Sequence, residues 1–264
     1  GGPDHRREVP RQTAVPGCSG YREAEREMNK YLAGFGLCAL ACATTGASAE
    51  TLDLTYGGLV GGGVAVKVTH SGGSLNTAAG LFQWNGGTAH SFCVELTQYV
   101  GTGTTSYDCT TLEAASTDLA TAIGAVDDTE LAYIAELFEK HSADALAFTS
   151  PGDTTDLTEA AAFQFALWEI VYEGTGAWNV GSGDTFMEQF TTGGNGGLVG
   201  AAVTMANEWL GGLTGTVSDA WLQRVVLLTD GNRQDQVLLV PLPAPFAFGA
   251  LGVLGVMIGR RRFR

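Results

Sequence analysis

The stretch Gly80–Tyr99, GLFQWNGGTAHSFCVELTQY, decides how the chain folds. Two short runs rich in aromatic and branched side chains, Gly80–Trp84 and Ser91–Tyr99, flank Gly86-Gly87, which is the pattern of two strands joined by a glycine-marked turn. On its N-terminal side, Gly57-Gly58, Gly61-Gly62-Gly63 and Gly72-Gly73 punctuate candidate strands at Thr51–Tyr56 and Val64–Thr69. On its C-terminal side a further strand is expected at Thr104–Thr110, and then the period changes. Leu131, Ile134, Leu137 and Phe138 fall at helical spacing within Glu130–His141. Leu157–Tyr172, LTEAAAFQFALWEIVY, is a second expected helix, with Asp156 and Glu159 set like a capping box. A third runs over Leu198–Leu210. Strands return at Trp221–Leu228 and Gln236–Val240, joined across Asp230-Gly231, a hairpin signal. Strands, then helices, then strands predict an α+β domain: an antiparallel β sheet or sandwich with an inserted helical layer. No internal repeat is evident.

Outward from this domain the two ends differ from it. Residues 1–27 are polar, mixed in charge and without apolar periodicity, and hold Arg6, Arg7, Arg11, Arg22 and Arg26. They are expected to be a non-native or disordered extension. From Met28 a positive Lys30, an apolar run Tyr31–Ala43 and the small-x-small site Ala47-Ser48-Ala49 follow in the order of a secretory signal peptide over 28–49. At the other end, Val240-Pro241-Leu242-Pro243-Ala244 precedes an apolar run, Pro245–Gly259, and then Arg260, Arg261, Arg262 and Arg264. The run is shorter than the roughly twenty residues of a full membrane span. The arginines against its end should stay cytoplasmic by the positive-inside rule.

Motif, short span and basic cluster together resemble the VPLPA variant of PEP-CTERM sorting signals over residues 240–264. The resemblance implies an exosortase-type membrane protease as a partner. It also implies transient anchoring in the inner membrane of a Gram-negative bacterium, and display at the cell surface or release outside it.

Residues 50–239 are then one extracellular domain. Its bases are Lys67, Lys140, Arg224 and Arg233, in a chain with 28 acidic and 14 basic residues and a formal charge of −14. Nucleic acid is excluded as a partner, because phosphate binding needs a basic footprint. No cofactor or metal site is expected. Asp127-Asp128 and Asp230-Gly231-Asn232 suit a helix start and a hairpin turn better than calcium. Trp84, Trp178, Trp209 and Trp221 could in principle form a sugar-binding platform, although scattered tryptophans are usually core.

The chemistry rests on two segments. In Phe92-Cys93-Val94-Glu95-Leu96, alternation puts Cys93 and Glu95 on one face and the apolar residues on the other. His90 falls on the face opposite Cys93, which argues against a cysteine hydrolase. The helix at Ala162–Val171 is apolar nearly all round and therefore buried. Gln164 lies on its stripe with Ala160, Trp168 and Val171, and an unpartnered buried amide costs about 1–3 kcal/mol. Something must therefore occupy Gln164.

A hydrophobic-Cys-hydrophobic-acid strand followed by a Gln-x-Ala-hydrophobic-Trp helix resembles the thioester domain of bacterial surface adhesins. The resemblance implies an internal thioester between the Cys93 sulfur and the Gln164 side-chain carbonyl, with Phe92, Glu95, Ala166 and Trp168 as supporting motif residues. Phe163 and Leu167 depart from the adhesin pattern, which carries threonine and isoleucine or valine there. The same strand and helix also resemble a recurrent domain of PEP-CTERM proteins. The implied function is non-enzymatic: covalent attachment to an amine-bearing surface ligand. The alternative is a non-reactive protein of the exopolysaccharide matrix with a Cys93–Cys109 disulfide, the default pairing for two cysteines outside the cell.

Overall fold

The computed structural model describes residues 50–115, 128–150, 152–174, 178–183, 185–189 and 196–240. The two terminal segments discussed above, up to residue 49 and from residue 241, lie outside the described residues. Among the described residues, no helix is long and apolar enough to cross a membrane.

Six strands close into an antiparallel barrel: β1 (Glu50–Leu59), β4 (Phe82–Trp84), β5 (Ala89–Cys93), β9 (Arg233–Leu239), β8 (Val225–Asp230) and β6 (Thr104–Thr111), in that order. Closure depends on β1, which serves two neighbours. Its first half, Glu50–Thr55, pairs with β6, and its second half, Tyr56–Leu59, pairs with β4. Between them the register shifts at Tyr56/Gly58. Gly58 takes a φ of +107°, a conformation that a side chain would strain. That bulge turns one long strand into the seam of a closed wall. The expected sheet or sandwich is thus corrected to a barrel plus a second, three-stranded sheet, in the order β3 (Gly73–Ala79), β2 (Val64–His70), β7 (Thr185–Gln189).

Among the described residues, four α-helices pack with these sheets: α1 (Asp128–Ala145), α2 (Thr154–Glu173), α3 (Val199–Gly211) and the short α4 (Asp219–Leu222). α2 contacts α1, α3 and all three strands of the second sheet. It also meets the barrel, where Phe163 stacks on Phe92 at 4.4 Å and meets Phe138 of α1 edge-on at 4.8 Å. A helix with neighbours on every side has no polar face to spare, which accounts for its apolar circumference. Phe163 and Leu167 are both fully buried, so large apolar groups at these two positions belong to the packing.

Several local expectations change. The N-cap of α2 is Asp153, whose carboxylate accepts from the Thr155 N–H. Asp156 instead turns back to accept from the Thr149 and Ser150 N–H groups at 2.7 and 3.4 Å. The strand expected over Trp221–Leu228 begins only at Val225, after α4. The Asp230-Gly231-Asn232 turn is closed by the Asp230 carboxylate accepting from the Asn232 N–H at 2.8 Å. The strand expected to run through Tyr99 stops at Cys93.

Candidate functional site

β5 ends at Cys93 because its ladder partner on one side runs out. β4 covers Ala89–Ser91 but extends no further. On the other side Cys93 faces Gln236 of β9, and the Val94 N–H still donates to the Asp235 carbonyl at 3.0 Å. The backbone of residues 93–96 is then satisfied by side chains in place of a strand. Gln164, projecting from α2, makes two hydrogen bonds to Cys93. Its Oε1 accepts from the Cys93 N–H at 3.1 Å, and its Nε2 donates to the Cys93 carbonyl at 2.6 Å. Next along the chain, the Tyr172 hydroxyl accepts from the Leu96 N–H at 2.8 Å, and Gln234 Nε2 donates to the Glu95 carbonyl at 2.7 Å. A primary amide presents the same donor and acceptor as a peptide group, so Gln164 stands in for the missing strand.

The site is dry. Gln164 is fully buried, Trp168 is 1% exposed and Cys93 2%. Burial pushes the Cys93 thiol above its ordinary range; the Trp168 indole N–H pulls it down, and the nearby Glu95 charge adds to the rise. Trp168 Nε1 has no hydrogen-bond partner among the described residues. The indole therefore acts on the sulfur through its N–H dipole, short of a closed hydrogen bond. Glu95 is 4% exposed; one oxygen accepts from the Thr97 hydroxyl, and Oε2 has no partner among the described residues. Tyr56 is raised by burial and by its proximity to Cys93. Two of the expected support residues have packing roles: Phe92 meets Phe138 and Phe163, and Ala166 is fully buried.

The structure brings Cys93 and Gln164 together and keeps Cys93 and Cys109 apart. Cys93 pairs with Gln236, Gln236 with Leu228, and Leu228 with Cys109, so β5 and β6 face each other across the six-stranded barrel. Three inter-strand steps of about 4.8 Å separate the two residues along the wall, whereas a disulfide needs Cα atoms within about 7 Å. Both thiols are buried and they are not joined. The expected Cys93–Cys109 disulfide is corrected on this ground.

Gln236 was not singled out from the sequence. It is fully buried directly across the ladder from Cys93; its Oε1 accepts from the Ser91 hydroxyl at 2.8 Å, which in turn accepts from Trp84 Nε1 at 2.7 Å. The sequence carries little signal for it, since Gln236 follows Gln234 and Asp235 and stands ahead of the apolar run Val237-Leu238-Leu239. The four tryptophans do not share a surface: Trp84 lies inside the barrel, Trp178 meets Tyr133, Trp209 stacks on His141, and Trp221 lies under the Arg224 guanidinium. No cluster of three or more His, Cys, Asp or Glu able to hold a metal occurs among the described residues. Of the sorting motif, only Val240 is described: it is buried, and its N–H donates to the Arg224 carbonyl at 2.7 Å. Pro241, Leu242, Pro243 and Ala244, and the arginines at 260–262 and 264, lie outside the described residues.

Comparison with protein-family models, curated proteins and solved structures returns no match for this chain.

Proposed function

We propose that this is an exported surface protein whose barrel domain attaches covalently to an amine-bearing partner through a Cys93–Gln164 thioester. The observation that carries this reading is the pair of hydrogen bonds between the Gln164 amide and the Cys93 peptide unit, both buried. In the bond-forming step the Cys93 sulfur attacks Gln164 Cδ. The Cys93 N–H, already on Oε1, steadies the developing oxyanion. The amide nitrogen leaves as ammonia, taking up the thiol proton. Burial opposes the thiolate, and the Trp168 N–H favours it. Glu95, whose charge acts on the sulfur and whose Oε2 has no partner among the described residues, is the group assigned to relay the proton. A primary amine then attacks the thioester, forms an amide with the Gln164 acyl carbon and releases the Cys93 thiol. Each molecule reacts once, so there is no turnover.

The proposal extends to the chain ends. Residues 28–49 direct export, and residues 240–264 direct sorting by an exosortase-type protease. Replacing Pro241 and Pro243 by alanine should leave an unprocessed, membrane-retained form; unchanged mass and location would reject the sorting reading.

A second reading is favoured by the raised Cys93 thiol and by the fully satisfied Gln164 amide: an inert matrix or exopolysaccharide-associated scaffold in which Gln164 serves only as a strand surrogate. Intact mass decides between them. The thioester protein is lighter by one ammonia and takes up methylamine, and Cys93→Ala and Gln164→Ala each abolish both signals. A full-mass wild-type protein that ignores methylamine leaves the scaffold reading.

A further inference from the structure

A cavity of about 180 Å³ lies where β1, β4 and β9 of the barrel, β3 of the second sheet and the loop after β5 come together. No Asp, Glu, Lys, Arg or His is among the described residues that line it. The neutral wall has two parts. One is aromatic: the half-buried Tyr56 packs on Phe82 at 5.8 Å, and Tyr99, in the loop, is 80% exposed. The other is polar. Thr77 and Gln98 are half-buried in the lining, and neither side chain has a hydrogen-bond partner among the described residues. The wall is also tied in place. Thr77 belongs to the β2–β3 ladder, and the Gln234 N–H donates to the Tyr99 carbonyl at 3.4 Å while its Nε2 donates to the Glu95 carbonyl at 2.7 Å. The loop that carries Gln98 and Tyr99 is therefore fastened to β9.

The geometry points to a binding site for a neutral sugar ring in this cavity, with Tyr56 and Tyr99 against its C–H faces and Thr77 and Gln98 bonding its hydroxyls. The inference holds whether or not the Cys93–Gln164 thioester forms. A carboxylate, phosphate or ammonium group would give up water for a wall that offers no counter-charge. The acidic chain, with a formal charge of −14, repels anions besides. A wholly apolar guest would shut the Thr77 hydroxyl and the Gln98 amide away from water without a partner, which costs free energy for each. A pyranose meets both demands, because it is uncharged, presents C–H groups on its faces and carries hydroxyls around its edge. Aromatic walls with a few placed polar groups are the common make-up of small-molecule sites. The space equals about six molecules of liquid water at roughly 30 Å³ each, which is room for one ring.

The test is a saturation-transfer NMR titration of the protein with the methyl glycosides of glucose, galactose, mannose and N-acetylglucosamine. Glucuronate and cyclohexylmethanol serve as the charged and the apolar control. At least one glycoside should bind, and both controls should bind at least about tenfold more weakly. Tyr99→Ala should weaken that glycoside roughly tenfold and Thr77→Val roughly fivefold, the worth of one aromatic contact and one hydrogen bond. Tyr99 is exposed, and valine keeps the shape of threonine, so both variants should fold. No transfer to any of the four glycosides, a control that binds as tightly as the best of them, or either variant binding at wild-type strength overturns the site. Intact mass on the same sample reads the thioester separately. Sugar binding without ammonia loss upholds the site and removes the thioester alone, whereas ammonia loss without sugar binding removes the site alone.

Discussion

Gln164 and Gln236 are both fully buried amides beside Cys93, and they are held in different ways. Gln236 lies across the ladder on β9, bonded through its Oε1 to Ser91 and through its Nε2 to Gln234, within a side-chain network that ends at Trp84. Gln164 reaches from α2 to the main chain of Cys93 itself. Proximity to a thiol and burial are therefore shared, and neither distinguishes an acyl donor. The orientation of the carbonyl does: Gln164 Oε1 points at the Cys93 N–H, whereas Gln236 Oε1 points at a hydroxyl.

Matched replacements break this comparison most sharply. Gln164→Leu removes both partners of a buried peptide unit, leaving one donor and one acceptor unsatisfied at about 1–3 kcal/mol each. A loss of roughly 2–5 kcal/mol in unfolding free energy by urea titration is expected, together with loss of the ammonia-loss mass. A Gln164→Leu protein as stable as wild type would mean that the amide does not hold the end of β5.

Asp235 sits between Gln234 and Gln236 and titrates the strand that holds the second amide. Burial chiefly, with the charges of Glu95 and Asp230, lifts its carboxyl to about 7, while the Asp230 N–H pulls it the other way. The folded value lies above the unfolded one of about 3.9, so the protonated form is the one the fold favours. Its contribution to stability is fully present below about pH 4 and is lost as pH rises through about 7. Asp235→Asn should match wild type near pH 4 and exceed it by on the order of 2 kcal/mol near pH 8. Parallel urea curves that keep the same spacing at both values would remove Asp235 from this role. Glu169, raised to about 7 mainly by burial, adds a similar slope in the wild-type protein and in the variant, so it cancels in the comparison.

Gln236→Leu completes the matched pair with a smaller effect. Only the Ser91 hydroxyl and the Gln234 groups lose a partner, and Ser91 still accepts from Trp84. The expected loss is about 1–2 kcal/mol, with the ammonia-loss mass and methylamine uptake retained. A variant that folds but keeps its ammonia would point to Gln236 as the acyl donor in place of Gln164.

How much of this was legible beforehand differs by residue. Gln164 announced itself because an apolar helical stripe with one amide in it requires a partner, and the periodicity is local. Gln236 carried no such signal, because it closes the polar run Arg233-Gln234-Asp235-Gln236 and its burial comes from the barrel closing around it. The barrel was not legible, because closure turns on β1 changing partners at Gly58, a long-range choice that glycine permits without dictating. β3, with the sequence GSLNTAA, lacks the branched and aromatic residues that mark a strand, and it forms because Val64–His70 offers it an edge. The early end of β5 was hidden for the converse reason. Val94–Tyr99 has strand composition, but Tyr172 and Gln234 bond to it, and Gln164 to Cys93 just before it, from elsewhere in the chain.

Cys109 gives the smallest expected effect and the cleanest control on the thiol. It lies across the barrel from Cys93, buried at 6% exposure, with its Sγ 3.9 Å from the Tyr107 carbonyl. A buried thiol behaves largely as a small apolar group, so Cys109→Ala removes one sulfur's worth of packing, at about 0.5–1 kcal/mol. The site chemistry should not move: intact mass and methylamine uptake stay at wild-type values. The variant also tests the topology, because the register from Cys93 through Gln236 and Leu228 is what sets the two sulfurs apart. Under non-reducing conditions the mature protein, from residue 50 onward and so holding only Cys93 and Cys109 of the five cysteines, should bind two equivalents of a thiol reagent once unfolded with the thioester opened, and its Cys109→Ala variant one. A wild-type protein that binds none until a reductant is added would put the two cysteines in a disulfide and contradict the strand order of the barrel.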